Sequence, residues 1–252
     1  MPPLTTPALD PEAAQRVRTR AKETAEKFEG QFLSFMFQQM FEGVKTDGPF
    51  GGGLGEEMFR SLMTEEMGKV LTEARGDVQE GIDMAFYMAG EGRRMSGQTV
   101  PTELQNKWAM SVRKPLGVVA AITPWNFPLA IPTWKIMPAL IAGNTVVFKP
   151  ASYTPRMAVR LFEVFEEAGL PPGVLNLVLG TGEDVGDVLV KHPDVALISF
   201  TGSNETGKYI NVEAARSLKR VSLELGGKNA IIVMDDADVD LALEGILWSA
   251  FG

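Results

Sequence analysis

Polar and glycine-rich residues occur at four places in the second half of the chain, each at the end of a short apolar run. These places are residues 123–126, 149–152, 180–182 and 201–207. In a parallel sheet the carboxyl ends of the strands meet at one edge, and ligands bind there. Gly202 and Ser203 also precede a helical pattern, whose free backbone N–H groups suit a pyrophosphate. The sequence therefore predicts a ligand site where these four segments converge.

The elements that must position this site alternate between strands and helices. We predict strands at 117–123, 144–150, 173–180, 195–202, 220–227 and 229–236. We predict helices at 155–169, 182–191, 205–217 and 237–250. The strands are apolar almost throughout, which is typical of a parallel sheet covered on both faces. The pattern predicts an α/β fold with a doubly wound, mostly parallel, Rossmann-like sheet.

The first part of the chain differs in pattern. Residues 1–14 are proline-rich and predict a disordered tail. Apolar residues recur every three or four positions in 15–43 and 56–95, which predicts helices. Residues 43–55 contain six glycines and a proline and predict a loop. We therefore expect an N-terminal helical segment before the sheet.

Composition excludes several classes of site. The formal net charge is −8, which argues against binding to nucleic acid or to an anionic membrane. The chain has no cysteine, so disulfides and thiolate zinc sites are excluded, and we predict no metal site. The longest apolar stretch, 128–143, is too short to span a bilayer, and no signal peptide opens the chain. We expect a cytoplasmic protein.

Five motifs, in order, carry a resemblance to a known family. They are ITPWNFP (122–128), WKIMPAL (134–140), GNTVVFKPAS (143–152), FTGSNETGK (200–208) and LELGGKNA (223–230). On these motifs, residues 63–252 resemble the N-terminal, cofactor-binding part of an aldehyde dehydrogenase. The resemblance implies NAD(P)-dependent oxidation of an aldehyde to an acid, with NAD or NADP as cofactor.

The resemblance implies three catalytic residues. Asn126 matches the side-chain donor that stabilises the oxyanion formed when a cysteine thiolate adds to the aldehyde. Glu224 matches the general base that hydrolyses the thioester, and the two glycines after Leu225 let substrate and cofactor approach it. Lys135 matches a lysine of the proton-relay path.

The resemblance also implies a cofactor site. Lys149 matches the lysine that hydrogen-bonds the adenosine ribose, and Trp125 helps to wall the nicotinamide pocket. Ser152 stands where NAD-preferring members often have glutamate, and a serine does not repel a 2′-phosphate, so we expect NADP to be tolerated. The other residues implied in cofactor binding are Ile122, Pro124, Gly182, Gly202, Ser203, Gly207 and Leu225.

Each of these residues has a purely structural alternative. Asn126 lies between prolines and suits an Asx-turn. Glu224 taken alone suits an ion-paired strand end, and Lys135 and Lys149 suit solvated charges. Gly202 and Gly207 suit turn and packing positions. The single histidine, His192, lies in a loop pattern and is expected at the surface.

The chain departs from the family pattern after the base glutamate. The resemblance places the nucleophilic cysteine beyond a run like ILWSAFG, with which these 252 residues end, together with a second, catalytic domain. We therefore expect the chain as given to bind cofactor without oxidising aldehydes. A small aldehyde would be a partner only with the second domain present, and its absence would expose an apolar interface that favours association, including homo-oligomers.

A second resemblance covers the N-terminal segment. KFEGQFLSFM, the glycine-rich loop and EEMFRSL in residues 15–71 resemble the flagellar rod-binding family, which implies a flagellar rod subunit as partner. The expected organisation is a tail (1–14), a rod-binding-like helical segment (15–62) and a cofactor-binding domain (63–252). Three interpretations stay open: a cofactor domain, a rod-assembly interaction protein, and a non-functional chimeric fragment.

Overall fold

The computed structural model describes residues 54–251, in which two helices and a short antiparallel ribbon precede alternating parallel strands and helices. The helices are α1 (Leu54–Met67), α2 (Leu71–Gly92), α3 (Ala130–Ile141), α4 (Pro155–Glu167), α5 (Asp187–Lys191), α6 (Asn204–Ala215) and α7 (Val239–Phe251). The strands are β1 (Thr99–Val100), β2 (Ala109–Met110), β3 (Val118–Ile122), β4 (Thr145–Lys149), β5 (Leu175–Leu177), β6 (Val195–Gly202) and β7 (Arg220–Leu225). The predicted tail, the helix at 15–43 and most of the loop at 43–55 lie outside the described residues.

Five of the strands form one parallel sheet. Their order across the sheet is β5-β4-β3-β6-β7, with β3 pairing β4 on one side and β6 on the other. The chain therefore reverses its direction of travel across the sheet at β3, which is the switch point where doubly wound folds bind ligands. The predicted α/β, doubly wound fold class is confirmed. Strands β1 and β2 form a separate antiparallel ribbon.

The core has two parts, one on each face of the sheet. On one face α1 to α4 pack on β3 and β4, and the buried residues there include Met63, Ile136 and Phe148. On the other face α5 and α6 pack on β3 and β6, around Ile198 and Ile210. Because both faces are covered, most positions of these strands are apolar, as the sequence indicated. Within residues 54–251 no helix is both long and apolar enough to cross a bilayer.

Three element predictions between residues 56 and 191 need correction. The single helix expected at 56–95 is two helices, because Gly68 adopts a φ of +65° that ends α1. The strand expected at 173–180 shortens to Leu175–Leu177. The helix expected at 182–191 begins as a π-helical turn at Gly182–Gly186 and continues as α5. The other predicted helices and strands from 117 to 225 are present with small shifts at their ends.

The strand predicted at 229–236 is wrong. Strand β7 ends at Leu225, and residues 226–238 contain no strand or helix. An apolar run becomes a strand only where a neighbour accepts and donates its backbone hydrogen bonds. Within residues 54–251 no strand pairs with this run, and its apolar side chains are exposed, Ile232 at 83%.

Candidate active site

The four segments that the sequence singled out follow strands of the same parallel sheet. Residues 123–126 follow β3, 150–152 follow β4, 180–182 follow β5, and Ser203 follows β6. Parallel strands end at one edge, so all four segments lie at the carboxyl edge of the sheet. The β3 segment stands at the switch point, between the ends of β4 and β6.

A buried lysine and a carboxylate meet at this edge. Lys135 of α3 is 5% exposed, and its Nζ lies 3.7 Å from Oε2 of Glu224 in β7. Burial lowers the pKa of Lys135, while the charge and hydrogen bond of Glu224 oppose that shift. The Glu224 side chain is 55% exposed, so it can reach a ligand while its other contacts hold it in place.

Two hydroxyls of β6 complete this cluster. Thr201 Oγ1 donates to Oε2 of Glu224 at 2.9 Å, as expected from the register that pairs these two residues. Lys135 Nζ donates to Ser199 Oγ at 3.4 Å. Neither hydroxyl was among the site residues predicted from the sequence. Their spacing of two places both on the face of β6 that α3 covers, and two polar residues on one face of an apolar strand could have indicated them.

Burial and pairing can be compared with the purely structural alternatives for Lys135, Lys149 and Glu224. Lys135 and Lys149 are each 5% exposed, so neither is a solvated charge. Glu224 forms an ion pair with Lys135, which agrees with its structural alternative. The same pair lies at the carboxyl edge of the sheet, where ligands bind in this class of fold. Burial lowers the pKa of Lys149, whose Nζ donates to the carbonyl oxygen of Pro150 at 3.0 Å.

The segment after β3 exposes Asn126. Within residues 54–251 its carboxamide makes no hydrogen bond, so the Asx-turn is not formed by these residues. Trp125 is 55% exposed beside it, whereas Pro124 is half-buried. The side chain of Ile122 lies in the core between β3 and β6, which leaves its backbone at the edge.

The remaining predicted cofactor residues divide between surface and packing positions. Ser152 is exposed, and its Oγ donates to the carbonyl oxygen of Gly180 at 3.2 Å, which links the ends of β4 and β5. Gly182 begins the π-helical turn and has open space where a Cβ would stand. Ser203 caps α6, with its Oγ accepting the N–H of Thr206 at 3.2 Å.

Two glycines at this edge allow close packing. A Cβ on Gly207 would overlap the end of the Leu225 side chain, and one on Gly202 would lie 2.5 Å from Cζ of Phe200. This agrees with the packing alternative for both glycines. His192 is exposed in the loop before β6 and accepts the N–H of Asp194, as expected for a surface residue.

Comparison with known proteins identifies the family. The profile of the "Aldehyde dehydrogenase family" matches residues 55–252. The chain is 48% identical over 195 residues to alpha-ketoglutaric semialdehyde dehydrogenase of Bacillus subtilis, covering 77% of this chain and 40% of that protein. It is 48% identical over 190 residues to an NADP(+) succinate-semialdehyde dehydrogenase of Escherichia coli, covering 75% of this chain and 39% of that protein.

Solved structures agree with this match. An NADP-dependent enzyme of Escherichia coli superposes with a TM-score of 0.79 at 43% identity, covering 92% of this chain and 44% of that one. Betaine aldehyde dehydrogenase of Staphylococcus aureus, solved with NAD+, gives a TM-score of 0.79 at 36% identity, covering 95% and 48%.

The match has two consequences for the extent of the family segment. The family profile begins at residue 55, whereas the sequence predicted a start at residue 63. The profile therefore includes EEMFRSL, one of the motifs from which a rod-binding-like segment was predicted. Residues 15–53 of that segment lie outside the described residues. The chain spans about two fifths of the length of the curated relatives named here. On the family profile and these identities, the chain belongs to the aldehyde dehydrogenase family.

Proposed function

We propose that residues 55–252 form the NAD(P)-binding part of an aldehyde dehydrogenase and carry its general base. The observation that supports this most is the cluster of Lys135, Glu224 and Thr201 at the carboxyl edge of the sheet. It joins a carboxylate that can reach a ligand to a buried ammonium, beside the N-terminus of α6. Such a pair can take up and pass on a proton next to a bound dinucleotide.

The chain offers three features that fit a dinucleotide. The N-terminus of α6 presents backbone N–H groups to a pyrophosphate, as a 12-residue helix with Ser203 as its cap. Lys149, the last residue of β4, would hydrogen-bond the adenosine ribose, as its match to the family motif implies. Open space at Gly182 leaves room for the ligand beside them.

The choice between NAD and NADP depends in this proposal on Ser152. The exposed serine carries no charge, so it does not repel a 2′-phosphate. Both cofactors occur among the relatives, since one is an NADP(+) enzyme and one solved structure contains NAD+. We infer that this chain accepts NADP as well as NAD.

The residues proposed for catalysis lie at the same carboxyl edge of the sheet. When bound, the dinucleotide accepts a hydride. The exposed Asn126 carboxamide would donate to the oxyanion of the aldehyde adduct, an interaction whose loss costs about 3–4 kcal/mol in comparable sites. Glu224 would take a proton from the water that hydrolyses the thioester, with Lys135 passing it on. These 252 residues contain no cysteine, so we expect them to bind cofactor without forming the thioester themselves.

Nucleotide binding can be tested by thermal unfolding with NADP+ and NAD+. A ligand that binds the folded state raises its stability by RT ln(1 + [L]/Kd), so the melting temperature should rise with the concentration of either nucleotide. Lys149→Met should reduce this rise. Lys107→Met, at an exposed lysine that is not among the predicted cofactor residues, should leave it unchanged. A folded sample that shows no shift with either nucleotide at millimolar concentration would contradict the proposal.

The second resemblance supports a separate hypothesis, that the N-terminal segment binds a flagellar rod subunit. It rests on the motifs in residues 15–71 alone. The boundary proposed between 62 and 63 falls inside α1, whose Phe59 and Met63 belong to the main core. The full chain should then capture rod subunits, and a chain lacking residues 15–53 should not; equal capture by both would reject this hypothesis. The expected cytoplasmic location remains part of the proposal.

A further inference from the structure

A fully buried carboxylate lies under the segment that carries Asn126. Asp77, in the second turn of α2, is 0% exposed, and its Oδ1 accepts the backbone N–H of Ala130 at 2.7 Å. Ala130 is the first residue of α3. The residue before it, Leu129, has no side chain that could cap the helix. Asp77 therefore supplies from α2 the cap that α3 lacks, and its negative charge suits a helix N-terminus.

Lys69 holds the other end of the same segment. Its Nζ donates to the backbone carbonyl oxygen of Asn126 at 2.9 Å and to Oδ2 of Asp77 at 3.4 Å. It also lies 3.9 Å from the centroid of the Phe127 ring, a cation–π distance. The Lys69 side chain is 7% exposed, and it reaches this position because Gly68 turns the chain sharply after α1.

Nothing else in the described part of the chain holds residues 124–126 by hydrogen bonds. Within 54–251, the bond from Lys69 to the carbonyl oxygen of Asn126 is the one that reaches these three residues. The next contacts along the segment are the N–H of Ala130 on Asp77 and the N–H of Ile131 on the Phe127 carbonyl oxygen. The backbone of 126–130 is thus held at both ends by one ion pair.

We propose that Lys69 and Asp77 are positioning residues that fix the backbone of residues 126–130 and thereby aim the carboxamide of Asn126. The inference rests on the proposed function, because it gives Asn126 the role of oxyanion donor. A donor of this kind contributes only if it stands where the charge develops, so its support must be rigid. A buried ion pair adds little net stability compared with packed apolar residues. Its contacts with the segment explain this pair better than stability does.

The Lys69 end is tested by measuring the environment of Trp125, next to residues 126–130, without nucleotide. The full chain is labelled with 5-fluorotryptophan, and the fluorine resonance of Trp125, next to Asn126, is assigned with Trp125→Phe. In Lys69→Met we expect this resonance to move toward the position of free 5-fluorotryptophan, while those of Trp108 and Trp134 stay in place. Lys69→Arg, which keeps the charge and the donors, should restore the Trp125 resonance.

Hydrogen exchange tests the Asp77 end. In Asp77→Asn the N–H of Ala130 should exchange about tenfold faster or more, because the charged acceptor is lost. N–H groups of β4 and β6 should keep their rates. The matched controls are Asp83→Asn, at an exposed position of the same helix, and Lys107→Met.

Two results would overturn the proposal. One is a Trp125 resonance in Lys69→Met identical to that of the parent chain. The other is a change in all four tryptophan resonances together, which would mean that Lys69 supports the fold as a whole. Both readouts are taken without nucleotide, so a failure to bind NAD(P) would reject the proposed function and leave this test intact.

Discussion

At the scale of single residues, burial determines what the two lysines of the site can do. Lys149 is almost fully enclosed at the end of β4, and within the described residues no carboxylate is paired with it. Lys135 is equally enclosed but has Glu224 beside it. Removal from water disfavours the charged form of both, which is why their pKa values fall below the ordinary value of 10.5.

The lowered pKa of Lys149 has a consequence for stability. Between this pKa and 10.5, the folded state binds fewer protons at Lys149 than the unfolded state, so stability rises with pH over that window. The parent chain should therefore gain free energy of unfolding relative to Lys149→Met as pH rises. Urea titrations from neutral pH to about pH 10 measure it.

Lys208→Met, at an exposed lysine of α6, provides the control for this pH series. If the parent chain instead became less stable relative to Lys149→Met as pH rises, burial could not be the cause of the lowered pKa of Lys149.

Ser152 determines the expected choice of cofactor. In Ser152→Glu, the new carboxylate would stand near the 2′-phosphate of NADP+ and repel it, while it could accept hydrogen bonds from the ribose hydroxyls of NAD+. We expect the affinity for NADP+ to fall by about tenfold or more, equivalent to about 1.4 kcal/mol, with affinity for NAD+ retained. Calorimetric titration of each nucleotide measures this.

Tyr153→Glu is the matched control, since it adds the same charge at the next, 82% exposed position. An equal loss of both nucleotides in Ser152→Glu would show that the substitution disturbs the segment after β4 rather than discriminates between cofactors.

The sequence singled out Lys135 and Glu224 but did not predict which side chains they contact. Lys135 and Glu224 were found as separate matches, 89 positions apart, and only the folded structure shows that the Lys135 side chain reaches to 3.7 Å from the Glu224 carboxylate. Ser199 and Thr201 were missed as partners because a strand pattern does not reveal which neighbour its polar face meets. Lys69 and Asp77 were missed because their function depends on a helix far along the chain.

At the scale of elements, local pattern predicted the sheet where neighbours on both sides exist. β3, β4 and β6 lie inside the sheet, and each was predicted from its apolar run. The run at 229–236 has the same composition but no pairing partner within the described residues, and it is not a strand. The break between α1 and α2 depends on one glycine conformation, which an apolar periodicity of three and four does not detect.

The β1–β2 ribbon depends on one close approach. A Cβ on Gly97 would overlap the carbonyl oxygen of Ser111, next to the bond from the Ser111 N–H to the Gln98 carbonyl oxygen at 2.8 Å. Gly97→Ala should therefore force the two segments apart and lower the free energy of unfolding by about 1–3 kcal/mol.

Gly76→Ala is the opposite case, because nothing lies within 4 Å of the new Cβ on that exposed turn of α2. It should raise the free energy of unfolding by about 1 kcal/mol, since alanine is the better helix former. Urea unfolding of both variants is the measurement, and a parent-like Gly97→Ala would show that the ribbon does not contribute to the stability of the fold.

At the scale of the whole molecule, exposed apolar residues concentrate in the last part of the chain. The run after β7 and the helix α7 expose large apolar side chains, which are Ile231, Ile232, Val233, Met234, Val239, Leu241, Leu243 and Leu247. β7 itself is an edge strand with one side unpaired among the described residues. Many exposed apolar side chains close together in the chain, beside an open strand edge, favour association, despite a net charge of −8.

We therefore expect the chain to associate with itself in a concentration-dependent way, through the surface formed by residues 231–247. Sedimentation velocity over a range of concentrations should show species larger than a monomer, and the double variant Ile232→Asp/Met234→Asp should shift them toward the monomer. Leu218→Asp/Tyr153→Asp adds the same charge at two highly exposed positions outside this surface, so it should associate like the parent. If both double variants dissociated equally, net charge and not the apolar surface would control association. A parent chain that stays monomeric at every concentration would show that an exposed apolar run of this size is tolerated.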